Sequence, residues 1–254
     1  MQERVNSLKA AVTAGRAHIG IWCSLASALT TEIVAGSGTG WVLIDGEHSP
    51  NDLRSIMAQL QVIGGFDSEA VVRLPSDDAN LIKQAMDIGA RSLMIPNVRT
   101  AAQARAIVAA MTYAPGGIRG FSVGHRANAF GRIAGYHANA RAQQLLAVQI
   151  EDESGVANAA AIAAVDGVDV LFVGPGDLST NMGAMGNPNA PHVQEGIASV
   201  RKAAASAGKA SGILAPAKAD ADRYLADGFT MVAVGSDLGL LARGSDALIA
   251  SFRQ

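Results

Sequence analysis

The chain has a single cysteine, Cys23, among 254 residues. One thiol forms neither a disulfide framework nor a zinc cluster, so the expected setting is a reducing cytoplasm. Aromatic side chains are scarce at 4%, and neither charge dominates: 20 Lys+Arg stand against 22 Asp+Glu, a net charge of -2. That balance excludes a strongly basic nucleic-acid binder and an acidic solvating tail. The first stretch, MQERVNSLKAAVTAGRAHIG, has no apolar segment of the signal-peptide kind. No apolar run reaches roughly 18 residues without a charge or a turn, so no membrane span is expected. Charge blocks, low-complexity tracts and internal repeats are also missing. In surplus are alanine, about a fifth of the chain, and glycine, with 28 residues. A core built from small and aliphatic side chains is implied.

Short runs rich in Val, Ile and Leu recur along the chain. Strands are predicted at 19–25, 41–44, 70–73, 92–96, 145–150, 170–173, 211–214 and 231–234. They are apolar without alternation, which suits parallel strands covered on both faces. Segments of helical period lie between them. Ser49 and Pro50 read as an N-cap and first helical residue opening a helix over 52–61. Another helix, over 81–88, ends at Gly89. Further helices are predicted at 100–110, 156–164, 193–207, 217–227 and 237–251. Eight strands alternating with helices over this length predict a single-domain α/β fold, the (β/α)8 TIM barrel. An open doubly wound sheet shares the alternation, but there is no G-x-G-x-x-G fingerprint after an early strand. The stretch 113–131, YAPGGIRGFSVGHRANAFG, is the longest interruption and reads as a functional loop.

In such a barrel the chemistry gathers where the strands end. Asp45, Glu47 and His48 follow the second strand, and Arg73 closes the third. Gln149 lies in the fifth, followed by Glu151, Asp152 and Glu153. Asp177 follows the sixth, and Gly235-Ser236-Asp237 the eighth. Glu151 and Asp177 would suit a hard divalent cation that keeps several waters. Equally, Glu151 could be an acid favoured by a helix dipole, and Asp177 a helix cap. His48 lies in a loop and suits a general base, or it is a solvated loop histidine. Arg73 ends a buried strand and needs an anion. A substrate carboxylate meets that need, and so does an ion pair with Asp45 or another barrel acid; the two are compatible. The five lysines, Lys9, Lys83, Lys202, Lys209 and Lys218, all fall outside the predicted strands. Imine chemistry, which needs a desolvated lysine in the barrel, is therefore not expected.

The segments WVLIDGEHSPNDLRSIMAQLQ, RLPSDDANLIKQAMDIGARSLMIPNV, YAPGGIRG, LLAVQIE and DGVDVLFVGPGDLSTNMGAMGNP resemble the HpcH/HpaI aldolases, metal-dependent class II pyruvate aldolases. The likeness runs from about Trp22 to the last helix. It implies a cation, Mg, Mn or Co, on Glu151 and Asp177. It casts Arg73 as the group on the substrate's carboxylate and keto oxygen, and His48 as the base. Asp45 would support both, and Asp87 would reach the histidine, in some members from a neighbouring chain. Gln149 would line the pyruvate pocket, and the backbone at Gly176 and Asp177 would touch the pyruvate carboxylate. Trp22 and Leu214 would shape the aldehyde side. The partners implied are a 2-oxo acid, an aldehyde and further copies of the chain, as a hexamer built from three dimers. The last helix, with Leu240, Leu241, Leu248 and Ile249, would pack on a neighbouring subunit. The segment 120–131 departs from the family pattern and would influence the choice of aldehyde. A CoA-ester lyase of the malyl-CoA or citryl-CoA type, or a non-catalytic barrel that binds 2-oxo acids, are the competing readings. The first would need a basic surface at the rim, and the second would be expected to have lost an acid, the base or the arginine.

Overall fold

The computed structural model describes residues 4–253. Eight parallel strands close into one barrel in sequence order. They are β1 (His18–Cys23), β2 (Trp41–Asp45), β3 (Glu69–Arg73), β4 (Ser92–Ile95), β5 (Leu145–Ile150), β6 (Val170–Val173), β7 (Ala210–Leu214) and β8 (Met231–Ser236). All eight fall where the apolar runs predict them. The helices are α1 (Ser7–Thr13), α2 (Ala28–Ala35), α3 (Leu53–Ile63), α4 (Ala79–Asp87), α5 (Ala101–Met111), α6 (Tyr136–Asn139), α7 (Glu153–Ala157), α8 (Ala159–Ala163), α9 (Pro175–Asn181), α10 (Pro191–Ser206), α11 (Lys218–Ala226) and α12 (Asp237–Ala250).

Both faces of the strands are covered, which is why they lack alternation. Outward residues such as Val42, Ile44, Val72, Leu93, Val148 and Leu171 pack against the helices. Inward residues fill the lumen, where Trp22, Trp41 and Phe172 meet edge-on or tilted at 5.8–6.4 Å between centroids. Both tryptophans thus stand at the barrel's centre. Small residues make room for them: a Cβ on Gly20 would lie 2.0 Å from the Trp41 ring. Leu8 and Val12 of α1 join this inner cluster and close the end of the barrel where the strands begin.

Three local expectations are corrected. The third helix starts at Leu53, not at Pro50, and its N-cap is Asp52, which exchanges bonds with Ser55 in a capping box. Ser49 lies in the loop before the helix, where its hydroxyl donates to the Asp45 carbonyl and accepts from Asn51. The helix expected over 156–164 is two short pieces broken at Asn158. The third correction concerns the long stretch after α5. Because α5 runs back from the end of β4, this loop joins the strand-start end of the barrel. There Arg126 donates to the Ile88 carbonyl at 2.7 Å, just before β4. Within its own chain it therefore lies opposite the rim that it was expected to shape.

The final helix stands apart. Of its residues only Asp237 is buried, while Leu238, Leu240, Leu241, Leu248 and Ile249 are half or more exposed. Among the described residues no helix is long and apolar enough to cross a membrane.

Candidate active site

The centre of the rim is an arginine held by two acids. Asp45 and Arg73 end adjacent strands in register, so their side chains point to the same place. The Asp45 carboxylate takes a two-pronged contact, from Nε at 2.9 Å and Nη2 at 2.8 Å. Glu47 Oε2 lies 2.8 Å from Nη1, an ion pair too oblique to count as a directed hydrogen bond. The guanidinium sits 5.3 Å from the centroid of Trp22 below it. Burial alone would raise the Asp45 carboxyl, but the hydrogen bonds and charge of Arg73 outweigh it and hold the group below its ordinary range. Glu47 goes the other way: burial raises it, and Arg73 and His48 only partly oppose that.

Asp45 also shapes the loop that follows. Its Oδ1 accepts the backbone N–H of Glu47 at 3.0 Å and of His48 at 3.4 Å. His48 is thereby carried in a loop folded around the acid that clamps Arg73.

Across the rim, Glu151 is buried at the end of β5. Its Oε1 accepts from Gln149 Nε2 at 2.8 Å, and its Oε2 from the backbone N–H of Asn97 at 3.0 Å. Burial pushes its carboxyl up to about 7, the Asn97 bond opposes this, and the like charges of Asp177 and Glu47 add to it. Asp177 stands in the first turn of α9, whose N-cap is Gly174. It is not itself the cap. A side chain at 174 would have its Cβ 2.4 Å from Glu151 Oε1, so glycine there leaves the carboxylate its place.

This half of the site fits a divalent cation. It combines two carboxylates with Gln149 Oε1, a buried amide oxygen that lacks a partner. All are hard donors, and a positive charge would offset the burial and the like charges that raise Glu151. Among the described residues no three His, Cys, Asp or Glu side chains converge as ligands. The pair would leave the remaining positions to water and substrate.

Of the residues singled out from sequence, Asp45, His48, Arg73, Gln149, Glu151, Gly176 and Asp177 lie on this rim, Trp22 lies in the lumen just below it, and Leu214 ends β7 beside it. Asp87 does not. It closes α4, 2.6 Å from Arg119 Nη2 and 3.9 Å from His125 Nε2, in the long loop at the other end. Two participants escaped sequence reading. Glu47 was visible in D-G-E-H, but nothing in the string marks it as a second acid on Arg73. Asn97, at φ +55°, holds Glu151 through its backbone, and its position after Pro96 was the only available sign of a turn. Asp237, noted only as a rim acid, is structural. It accepts from the amides of Ser24 at 2.8 Å and Leu25 at 3.3 Å, and from the Thr30 hydroxyl at 3.1 Å.

The fold is a parallel barrel with an arginine and paired acids at its strand ends, and the relatives of the chain make it a carbon–carbon lyase. Residues 18–244 match the HpcH/HpaI aldolase/citrate lyase family. The whole chain is 48% identical over 255 residues to 4-hydroxy-2-oxovalerate aldolase of Rhodococcus jostii, covering 98% of it. It is 45% identical over 249 residues to 5-keto-4-deoxy-D-glucarate aldolase of Klebsiella pneumoniae, covering 98% of this chain and 97% of that one. The crystal structure of an HpcH/HpaI aldolase/citrate lyase family protein from Burkholderia cenocepacia superposes with a TM-score of 0.95 at 37% identity, covering 98% of this chain and 100% of that one. The chain belongs to the HpcH/HpaI family and is an aldolase of it. Metal dependence is typical of the family.

Proposed function

We propose that the protein catalyses the reversible, divalent-metal-dependent cleavage of 4-hydroxy-2-oxo acids to pyruvate, or a close 2-oxo acid such as hydroxypyruvate, and an aldehyde. The observation that carries this reading is Arg73, buried between Asp45 and Glu47 and facing the Glu151–Asp177 pair. A cation held by Glu151 and Asp177 would supply Lewis-acid polarisation of the substrate carbonyl.

The chain's own residues do the rest. Asp45 and Glu47 lock the Arg73 guanidinium, which orients the 2-oxo acid and faces the charge that develops on the keto oxygen when the C3–C4 bond breaks. His48 takes the proton of the C4 hydroxyl, directly or through water, and the aldehyde leaves. Return of a proton to C3 of the enolate gives pyruvate. The first turn of α9, at Gly176 and Asp177, offers N–H groups to the pyruvate carboxylate. Gln149 lines the pyruvate pocket. Trp22 and Leu214 bound the aldehyde side.

The exposed apolar row on α12 supports assembly, for which we propose a hexamer of three dimers with this helix on a neighbour. In such an assembly Asp87, outside its own rim, can serve a neighbouring one.

Exchange of the pyruvate methyl protons in D₂O, followed by NMR with and without EDTA, tests the reading without knowing the aldehyde. Exchange is expected with added Mg²⁺, Mn²⁺ or Co²⁺, lost with EDTA, and lost in Arg73→Ala. Its absence with every metal refutes the aldolase chemistry. Near wild-type kcat in His48→Ala refutes the base assignment.

A further inference from the structure

We propose that Thr31, Gln59 and Asn51 form a directed hydrogen-bond relay that positions the His48 loop, making two buried residues of the outer helices positioning residues for the reaction. The inference rests on the reading of His48 as the base.

The α2–α3 interface could be filled with aliphatic side chains, as most of this barrel is. Instead it encloses Thr31 and Gln59, both at 0% exposure. Burying a primary amide is unfavourable unless its groups are all paired, and here they are. The Thr31 hydroxyl lies 2.9 Å from both Gln59 Oε1 and the Ser27 carbonyl one turn back, so its one proton is shared between them. The Gln59 amide donates to Asn51 Oδ1 at 2.6 Å and to the Ser55 carbonyl at 3.1 Å. Asn51 Nδ2 in turn donates to the Asp45 carbonyl at 2.7 Å and to Ser49 Oγ at 2.9 Å.

The two amide links point the same way, amide N–H to amide oxygen and amide N–H to backbone carbonyl, and the hydroxyl's shared proton feeds into them. Dipoles in series reinforce one another, so the chain fixes both amide orientations. It ends on the backbone of the residue whose carboxylate holds Arg73 and accepts the N–H groups of Glu47 and His48. The loop is thus pinned twice through Asp45. The carboxylate fixes its beginning, and the carbonyl, gripped by Ser49 and Asn51, fixes its return into α3. Removing the relay loosens the second anchor, leaving Asn51 Oδ1 only the Ser55 hydroxyl at 2.8 Å, and leaves the first intact. Arg73 and the binding of the 2-oxo acid should survive, while the histidine loses its aim.

The test uses Gln59→Met, which keeps the volume and removes the polar ends, and Thr31→Val, which replaces the hydroxyl with a methyl of similar shape. Thr31→Ser restores the hydroxyl. Manganese-dependent cleavage of the 4-hydroxy-2-oxo acid formed from pyruvate and acetaldehyde, which requires loss of the C4-hydroxyl proton, is measured for kcat and KM, and the His48 ring resonance is recorded by NMR without substrate, assigned with His48→Gln. Gln59→Met and Thr31→Val should lower kcat about tenfold with KM held within about twofold, and should shift or broaden the His48 signal. Thr31→Ser should recover both. Folded variants with unchanged kcat and an unchanged His48 signal overturn the proposal. So does a parallel change of kcat and KM that follows Tm and that serine fails to rescue. If the wild type exchanges no pyruvate proton, the aldolase reading fails, and the His48 signal alone decides whether the relay positions the loop.

Discussion

Gly174→Ala should disable the enzyme without unfolding it. The backbone there bars no L-residue, with φ at -91°. The obstacle is a neighbour: an added Cβ would lie 2.4 Å from Glu151 Oε1, 2.9 Å from its Cγ and 3.0 Å from its Cδ. Ordinary contact begins at 3.4 Å, so the oxygen must retreat by about 1 Å. It has little room, because Gln149 Nε2 holds Oε1 at 2.8 Å and the Asn97 amide holds Oε2 at 3.0 Å. A misplacement of about 1 Å in a catalytic group typically lowers the rate about 100-fold, or about 2.7 kcal/mol in the barrier. Overpacking at one methyl should lower stability by only about 1–3 kcal/mol. Metal-dependent pyruvate exchange, read beside a urea melt, separates the two. In a double-mutant cycle with Glu151→Gln the losses should not add, because both strike one carboxylate. Exchange within about threefold of wild type, under ~0.7 kcal/mol, with an unchanged metal requirement would refute the role given to Gly174.

Glu151 should also be visible in stability. Its folded carboxyl is raised to about 7 against about 4.3 unfolded, so the metal-free fold binds the proton more tightly than the unfolded chain does. Stability should fall as pH rises through that interval, by up to about 3 kcal/mol. Denaturation of EDTA-treated protein at pH 5 and pH 8 should show the fall, and Glu151→Gln should abolish it. Asp45 has the opposite sign. Its carboxyl is depressed, so its contribution is present above about pH 4 and lost as pH falls through the folded value. Asp45→Asn should remove that acid sensitivity, cost about 3 kcal/mol in a chemical melt because Glu47 still pairs with Arg73, and abolish exchange. Leu241→Glu with Leu248→Glu should reduce the assembly to smaller species in light scattering, and an unchanged mass would refute the role of α12.

The strands were legible because burial on both faces writes an apolar run, and eight of them alternating with helices favoured the barrel over the open sheet that shares the alternation. The Asp45–Arg73 pair was legible too, since a guanidinium at a strand end needs an anion and the adjacent strand ends in one. What was not legible depends on direction in space. Ser49 looks like a helix cap until its oxygen is seen accepting from Asn51 in the loop, with Asp52 capping the helix instead. The long loop looks like part of the rim until the reversal of α5 carries it to the other end. Thr31 and Gln59 are unremarkable letters 28 positions apart, and only the packing of α2 on α3 makes them neighbours.

Asp237 has a consequence for how the molecule is made. The first rim loop is held by a carboxylate 213 positions further along, and the free edge of β1 finds its partner only in β8. During synthesis from the N-terminus, β1 therefore waits with one edge unpaired until almost the whole chain has emerged. An open strand edge is a template for pairing with other chains. The last strand and the acid after it act together as a latch: they close the barrel and shape its first loop in one event.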